Sequence, residues 1–512
     1  MNKKTSTVLK LICALLIPTV ISLIYCLIRG VSFKELYLPA SYNNDCVFYY
    51  KLVESVARMG TPSGYFGFNE SHALIGGFAA WSPLIVMPWA LWGVLFGWTY
   101  SSVFVCNIVL FSLAFALFVY LSEADFKELG ALFVLLLLFP SFTIHLLNAL
   151  PEIILMALVC VFLGLAIRSA KRAPGTASIV VMFVVAAYLA MIRPYMVLLI
   201  FLPAYFLCKS QRKRAGIITG IFAAVLSFAG NVLIGHYFTS EYFTPLFDTE
   251  IIKLFLQGRF SEGFWMSVYV FKDMCAGMAE ASLGAFSYGL TMGTQYVIAI
   301  VTAVFALVLA AKKGENKLRP IYAVFGVSTF SVLLAIVFLL RKVNEGGRHL
   351  WIFAVMGLFL CCQSGFKALG VTFKAVVAAL LAVFVLRGAM VPTDYDIPIG
   401  DVETVRNVEY WQTVFDENVA DESARGYDNT VIWVFVDYTE DSSVVTEYSE
   451  LYALPEGMGI SCCYPEYVID NFDSLKSKYI VTDVRGKVSG LCESKGLKVV
   501  GRHENVIMYQ RY

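Results

Sequence analysis

Charged residues are scarce in this chain, and their scarcity excludes an ordinary soluble enzyme. Asp, Glu, Lys and Arg make up 15% of the 512 residues, whereas soluble domains contain about 25%, and the mean hydropathy is +0.71. The composition is that of a polytopic membrane protein. Outside the membrane-flanking loops no basic patch is interleaved with aromatic residues, so we expect no nucleic-acid partner.

Cysteine motifs of a metal cluster are also lacking, although the chain has 12 cysteines. Most of them fall in or beside apolar runs, where cysteine usually serves as a small buried hydrophobe. Cys462 and Cys463 are adjacent rather than spaced as CxxC, and no second pair has zinc-site spacing. A zinc cluster is therefore not expected, whereas a disulfide from Cys462 or Cys463 to Cys492 stays open.

The net charge of +1 hides an uneven distribution along the chain. Of the 38 acidic residues, 22 follow residue 389, against 10 of the 39 lysines and arginines. The first part is therefore basic and the last part acidic. We predict a membrane domain over residues 1–389 and a soluble domain over residues 390–512.

Eleven apolar runs are predicted to cross the membrane, at about 20 residues per helical span. They are 8–28, 99–121, 130–148, 151–168, 177–192, 195–208, 215–237, 287–311, 320–340, 350–363 and 371–389. The first run has no small-residue cleavage site after it, so we expect a retained anchor rather than a removed signal peptide.

The basic loops predict the orientation of these spans in the plasma membrane. The densest are 168–172, 209–214 and 312–319. If residues 81–98 do not cross the membrane, all three loops lie on the same side as the N-terminus. The positive-inside rule then places that side in the cytoplasm. That Trp-rich run, broken by Pro83 and Pro88, is therefore predicted to be a re-entrant or interfacial helix. The loops 30–98 and 238–286 and the C-terminal domain then lie outside.

The C-terminal part changes its hydrophobic period and is predicted to form a small α/β domain. Short β-rich runs occupy 431–437, 478–484, 497–500 and 506–510, and helical patterns occupy 402–418 and 464–477. We favour a lid or adaptor without chemistry of its own. The predicted fold class is an all-α polytopic membrane domain followed by a soluble α/β domain.

Ionisable residues are costly in lipid, so those gathered on the outer side are functional candidates. Asp45 opens the segment 46–59, which we predict to be an amphipathic helix lying on the outer leaflet. The carboxylate could act as a general base at the membrane surface. It could equally cap the N-terminus of the helix, and the two roles are compatible.

Two further outer segments offer similar candidates. Glu152 starts a span directly after Pro151, where the helix dipole alone would favour an acid, and the nearby His145 could be an ordinary core histidine. Arg348 and His349 follow Gly346 and Gly347. The planar guanidinium suits phosphate binding, although an interfacial arginine could also extend to lipid headgroups.

The order of these elements resembles the GT-C superfamily of polyprenyl-phosphate-sugar-dependent glycosyltransferases, which includes protein O-mannosyltransferases and lipid A aminoarabinose transferases. Its members have an Asp in the first outer loop beside a juxtamembrane helix, a second acid outside the third and fourth spans, and often an Arg-Tyr-Leu-type signature at a late span. The matching segments here are Asp45 with FYYKLVESVARMG, WSPLIVMPWALWGVLFGW, ALPEII with Glu152, AMIRPYM with Arg193, and GRHLW with Arg348. The resemblance covers roughly residues 8–389. This chain departs from it in having Asn44 before the Asp, where an acid is common, and Arg-His in the late signature.

The resemblance implies an inverting sugar transfer from a polyprenyl-phosphate donor to a hydroxyl of an envelope polysaccharide, lipid or protein acceptor. Asp45, as general base, and Glu152 would be the catalytic acids. The substrate-binding candidates are Arg348, His349, Arg193, Lys272, His72 and His145. A divalent metal ion bound by Asp45, Glu152 and the histidines 72, 145, 236 and 349 is an alternative to phosphate neutralisation by arginine.

Two other function classes remain open from the sequence. A transporter or flippase of a lipid-linked or envelope precursor would use the same charges along a path. Such pathways usually place ionisable residues in mid-span, whereas the spans here are nearly free of them, which favours chemistry at the surface. In an interaction scaffold, by contrast, the C-terminal domain alone would bind the partner.

Overall fold

The computed structural model shows a helical membrane part followed by a small α/β part, as the sequence predicts. The residues that the structure describes are 3–39, 44–60, 66–70, 82–210, 213–238, 247–287, 292–312, 316–363, 370–386, 400–418, 430–434, 448–455 and 458–512.

The membrane part is built from helices, of which many follow the predicted apolar runs. The helices are α1 Lys3–Arg29, α2 Asn44–Met59, α3 Met87–Phe96, α4 Ser102–Ser122, α5 Phe126–Leu137, α6 Pro140–Leu147, α7 Glu152–Lys171, α8 Thr176–Ile192, α9 Phe201–Lys209, α10 Lys213–Phe238, α11 Glu250–Leu256, α12 Phe260–Ser287, α13 Met292–Ala311, α14 Arg319–Ala335, α15 Val343–Cys361 and α16 Gly370–Phe384. Helices α2, α11 and α12, by contrast, lie in the predicted loops 30–98 and 238–286. A π-helical turn, Ile336–Leu340, continues α14. Helix α15 lies at the centre of the bundle, since every residue from Leu350 to Cys361 is buried.

The predicted count of eleven spans is not confirmed. Within the described part of the chain, six helices are long and apolar enough to cross a membrane, and the pair α5–α6, bent by 79°, would make a seventh. Pro140 starts α6 at that bend, because proline suits the first turn of a helix and not its interior. Similarly, the run 195–208 divides into a 3-10 helix, Pro194–Ile200, followed by α9.

Within the run predicted not to cross, residues 83–96 form a short helical structure. A 3-10 helix, Pro83–Val86, leads into α3. At 1.5 Å per residue, the two together fall short of the ~30 Å hydrocarbon core. Helix α3 packs closely on α2, because an added Cβ at Gly93 would lie only 3.0 Å from the Cβ of Ala57.

Helix α2 is a buried element, which corrects the prediction of an amphipathic helix lying on the outer leaflet. Its residues from Val47 to Val56 are all buried, including Lys51 at 1% and Glu54 at 7% exposure. The Lys51 ammonium donates to Glu54 and to the carbonyl of Leu454, each at 2.7 Å. Lys51 and Glu54, which an interfacial helix would turn to water, are therefore buried, and Lys51 contacts the C-terminal part of the chain.

The C-terminal part contains one mixed sheet flanked by helices. The helices are α17 Val402–Asn418, α18 Pro465–Asp470 and α19 Lys487–Ser494, and the strands are β1 Phe66–Phe68, β2 Thr430–Val434, β3 Gly459–Cys463, β4 Tyr479–Asp483, β5 Lys498–His503 and β6 Val506–Gln510. The strand order is β1-β3-β2-β4-β6-β5, parallel from β1 to β4 and antiparallel at β6. The four predicted strands and the first predicted helix are confirmed, whereas β1 and β3 were not predicted and the helix over 464–477 is shorter.

Strand β1 comes from the loop between α2 and α3 and pairs with β3, at the edge of the sheet. The residues after it strengthen this junction. The Asn69 amide donates to the carbonyl of Cys462 at 3.0 Å, and the buried Glu70 carboxylate accepts from the amides of Lys476 and Ser477 at 2.7–3.0 Å. Both Asn69 and Glu70 have positive φ. The loop and the C-terminal part are thus joined by backbone pairing.

The cysteines of the sheet do not form the disulfide that the sequence left open. All three of Cys462, Cys463 and Cys492 are buried, and Cys462 and Cys463 are free thiols. Cys462 and Cys463 are neighbours on one strand, so their side chains point to opposite faces of the sheet, and only Cys463 shares a hydrophobic cluster with Cys492.

Candidate active site

Arg348 joins two carboxylates that come from different parts of the membrane domain. Its Nη1 atom donates to Oδ2 of Asp45 at 2.6 Å, and its Nε atom donates to Oε1 of Glu152 at 2.7 Å. Asp45 lies in the first turn of α2, Glu152 is the first residue of α7, and Arg348 lies in α15. The N-terminal turns of three helices therefore lie close together.

A second arginine extends this network. Arg193 donates from Nη2 to Oε1 of Glu152 at 3.1 Å and from Nη1 to Nδ1 of His349 at 2.9 Å. The Tyr195 hydroxyl lies 3.0 Å from the same imidazole nitrogen. Because a guanidinium can only donate, Nδ1 of His349 must be an acceptor and carries no proton.

Local sequence explains how these side chains reach the site. Arg193 stands just after α8 in an extended conformation and is followed by Pro194, and a residue before proline is disfavoured in helical geometry. At Gly346, a Cβ would clash with Ile336 and lie 2.6 Å from the Tyr296 hydroxyl. A glycine is thus needed for the first turn of α15 to approach α13 and to place Arg348.

Burial separates the roles that the two acids can take. The Asp45 side chain is 22% exposed and the Arg348 side chain 15%, whereas Glu152 is 1% exposed. A nearly inaccessible carboxylate that accepts from two arginines is suited to holding them in place, since buried charges need partners. Asp45 is the acid that a substrate can reach.

Tyr49 lies one helical turn after Asp45 and faces the same arginine. The Arg348 guanidinium carbon is 5.9 Å from the centre of the Tyr49 ring, a cation–π geometry. Burial raises the pKa of the Tyr49 phenol above its ordinary value, so the group stays protonated and neutral. The tyrosine therefore adds an aromatic wall to the site without adding charge.

Several buried polar atoms of the site have no hydrogen-bond partner within the described ranges. They are Oε2 of Glu152, Nη2 of Arg348, Nε of Arg193 and Nε2 of His145. Buried polar groups in folded proteins are nearly always satisfied by protein, water or ligand. Two of the four atoms are arginine donors, which are suited to the oxygens of an anion.

The structure brings six of the eight predicted site residues into one neighbourhood. Besides Asp45, Glu152, Arg193, Arg348 and His349, it places His145 there, stacked on Trp351 at 4.5 Å between ring centres, with Nδ1 at 2.7 Å from the Ser141 carbonyl.

The other two predicted residues are not part of this cluster. Lys272 is exposed on α12 and has no contact with the cluster in the part of the chain that the structure describes. His72 lies outside the described residues. His236, considered above as a metal ligand, is exposed in the last turn of α10 beside Tyr237.

The carboxylates do not fit a divalent metal ion in this arrangement. Asp45 and Glu152 both bind Arg348, so a cation between them would have to displace or adjoin a positive guanidinium. Among the described residues no group of three His, Cys, Asp or Glu is placed to hold a metal ion.

Three aromatic residues of the site were missed in the sequence. Tyr49, Tyr195 and Trp351 contact Arg348, His349 and His145 respectively. Each lies two to four positions after a predicted site residue. Within a helix, residues three or four apart share a face, so helical spacing from Asp45 and Arg348 was the signal available for Tyr49 and Trp351.

Solved structures show which fold this arrangement belongs to. The chain is similar to the oligosaccharyltransferase of Archaeoglobus fulgidus in the apo form, with a TM-score of 0.50 and 12% identity, over 94% of this chain and 70% of that one. ArnT from Cupriavidus metallidurans gives TM-scores of 0.42 bound to undecaprenyl phosphate and 0.41 in the apo state, each at 12% identity. The comparison with the bound form covers 99% of this chain and 98% of that one. The comparison with the apo form covers 96% of this chain and 97% of that one.

At this identity, the first likeness establishes the fold. No protein-family model and no curated protein sequence matches the chain. The fold expected from the resemblance to the GT-C superfamily is thus confirmed, because a solved oligosaccharyltransferase shares it over nearly the whole chain.

Proposed function

We propose that this membrane protein transfers a sugar from a polyprenyl-phosphate donor to an acceptor hydroxyl on the outer face of the membrane, with inversion at the anomeric carbon. The observation that carries the proposal is the position of Arg348 between Asp45 and Glu152. It combines, in one place, a reachable carboxylate and a guanidinium with a free donor atom. By analogy, the fold shared with an oligosaccharyltransferase supports glycosyl transfer.

Asp45 acts as the general base in this mechanism. Its carboxylate takes the proton from the acceptor hydroxyl while that oxygen attacks the anomeric carbon, and the bond from this carbon to the phosphate oxygen breaks. The electron pair leaves with the polyprenyl phosphate. A single displacement of this kind inverts the anomeric configuration, and a positioned base contributes about 10²–10⁴-fold to the rate.

Arg348 stabilises the phosphate leaving group. A phosphate oxygen can bind the Nη2 atom that has no partner among the described residues, and the guanidinium then neutralises the charge that grows as the bond breaks. Phosphate binding would also compete with Asp45 for the same cation, which frees the carboxylate for the acceptor proton. Binding of the sugar donor thus releases the Asp45 carboxylate from its ion pair, so that it can act as the base.

Glu152 and Arg193 act as positioning residues. Glu152 accepts from both arginines at 2.7 and 3.1 Å and so fixes the distance between them. Arg193 in turn binds His349, which follows Arg348 in α15. The rigid arrangement lowers the reorganisation required during transfer.

The deciding experiment follows a labelled sugar. The full-length protein is reconstituted with radiolabelled polyprenyl-phosphate sugars and an envelope acceptor fraction, and label in the acceptor is measured. We expect Asp45→Asn to lower the rate by about 10²–10⁴-fold, whereas Asp470→Asn, at an exposed position in α18, keeps it. Wild-type transfer by Asp45→Asn, or movement of the lipid-linked sugar across sealed vesicles without a new glycosidic bond, would overturn the proposal.

A further inference from the structure

A cavity of about 350 Å³ lies on the face of α2 opposite to the Asp45 cluster. Asp45 and Tyr49 are four positions apart and share one face of the helix, whereas Tyr50, Glu54 and Arg58 recur at the same spacing on another. The volume falls within the range of about 300–1,000 Å³ that small-molecule sites occupy. The two sites are therefore separated by one helix, whose diameter is about 10–12 Å.

The walls of this cavity are aromatic. Tyr50 stacks against Trp98 at 5.5 Å and against Tyr100 at 5.9 Å between ring centres. Tyr452, from the C-terminal part, meets Tyr50 edge-on at 5.0 Å and Tyr100 at 5.2 Å. Four rings thus line one small space, where a ligand can present an apolar face to them.

The cavity also has many polar groups, and several of them are held in place. Lys51 is 1% exposed and is fixed by Glu54 and by the Leu454 carbonyl. The Trp98 indole nitrogen donates to the Tyr50 carbonyl at 3.1 Å, which orients the ring. Gln412 of α17 contributes an amide. The donors and acceptors are pre-arranged, so binding costs little ordering.

The tyrosine hydroxyls remain donors over the working pH range. Burial raises the pKa of Tyr50, Tyr100 and Tyr452 above the ordinary value for a phenol. The lining therefore offers neutral hydroxyls, an amide, and a Lys51–Glu54 ion pair, with the exposed Arg58 beside them. This combination suits a ligand whose edges are rich in hydroxyl groups and whose face is apolar.

A saccharide ring has these properties, because its axial C–H groups form an apolar face and its hydroxyls form a polar rim. We infer that the cavity between α2 and the C-terminal part is a saccharide subsite, which holds one sugar unit of an oligosaccharide while another unit reaches the Asp45 site. The inference extends the proposed function, since it names an oligosaccharide as a substrate. That oligosaccharide could be the acceptor or the glycan of the donor.

The subsite joins the membrane part to the C-terminal part of the chain. Tyr50, Lys51 and Trp98 come from the former, and Gln412 and Tyr452 come from the latter. Neither part forms the cavity alone. The C-terminal domain would then contribute directly to substrate binding, in addition to acting as the lid or adaptor expected from its sequence.

The first test measures binding without turnover. Full-length detergent-purified protein is applied to an array of neutral, amino-sugar and uronic-acid di- to hexasaccharides. We expect binding that Tyr100→Ala weakens by about tenfold or more, the loss that corresponds to about 1.4 kcal/mol. Gln412→Trp is the second variant, in case Tyr100→Ala does not fold. The indole should fill the cavity and weaken binding to the same extent, and the substitution breaks a hydrogen bond to Asp416 of the same helix.

Asp45→Asn separates this inference from the proposed function, because it should abolish transfer and leave array binding unchanged. A transfer assay then distinguishes the two sources of saccharide. Gln412→Trp should raise KM for the acceptor alone if the subsite holds the acceptor, and KM for the donor if it holds the donor glycan. Absence of binding to every saccharide on the array, or equal binding by wild type and Gln412→Trp, would overturn the inference.

Discussion

The Arg348 guanidinium lies 2.6 Å from the Asp45 carboxylate, although 303 positions separate the two residues. The contact places a cation beside the more exposed of the two acids of the site. It keeps the reachable acid paired with a cation until another anion competes for that cation. The arginine is held from the other side by Glu152, so the pair has a fixed position in the bundle.

Replacing Arg348 by lysine should keep the positive charge at this position but remove the hydrogen bonds that reach both Asp45 and Glu152. An ammonium is a compact point charge and cannot reproduce the planar fork that reaches both carboxylates. We expect sugar transfer to fall by about 10²–10³-fold, the usual cost of removing one electrostatic contact to the transition state. Arg259→Lys, in an exposed ion pair with Glu262, is the matched control, and equal rates for the two variants would contradict this role.

Glu152→Gln should destabilise the protein. The substitution removes a buried charge that holds two arginines, and breaking a buried pair typically costs about 3–5 kcal/mol. The melting temperature in detergent should fall clearly for Glu152→Gln. By contrast, Glu123→Gln breaks a half-exposed pair with Arg172, where about 0–1 kcal/mol is expected. A similar melting temperature for both variants would argue against the positioning role.

Glu70→Ala should loosen the loop between α2 and α3 from the C-terminal sheet. The carboxylate accepts from two backbone amides, of which that of Ser477 is buried, and leaving a buried donor unsatisfied costs about 1–3 kcal/mol. Hydrogen exchange of the amides of Lys476 and Ser477 should become faster in the variant. The exposed Glu466→Ala provides the comparison. Unchanged protection at both amides would show that the strand pairing alone holds the loop.

Chelation should leave activity intact. The two carboxylates that could bind a divalent ion already bind Arg348, and in the proposed mechanism the guanidinium supplies the positive charge that the departing phosphate needs. Transfer is measured after exhaustive treatment with EDTA and again after adding back Mg²⁺, Mn²⁺ or Zn²⁺. Activity lost to the chelator and restored by one of these ions would require a different arrangement of Asp45 and Glu152 in the working enzyme.

Local sequence was sufficient to locate the candidate residues, because ionisable side chains beside apolar runs are conspicuous. Asp45, Glu152 and Arg348 are recognisable in this way without a structure. Their mutual contacts are not, because a pair such as Asp45 and Arg348 meets only through the packing of α2, α7 and α15. The surroundings of Lys51 and Glu54 were misjudged for the same reason, since helical periodicity does not reveal which neighbour covers a charged face.

The sequence by itself determined the class of the molecule: a membrane part of apolar helices and an acidic α/β part, with strands that follow alternation and β-branched content. These features depend on partition into lipid and on local backbone preference. The tertiary structure decided the rest. Only packing reveals the pairing of the three-residue strand β1 with β3 and the cavity formed by two parts of the chain. Each depends on contacts between residues distant in sequence, for which no local pattern exists.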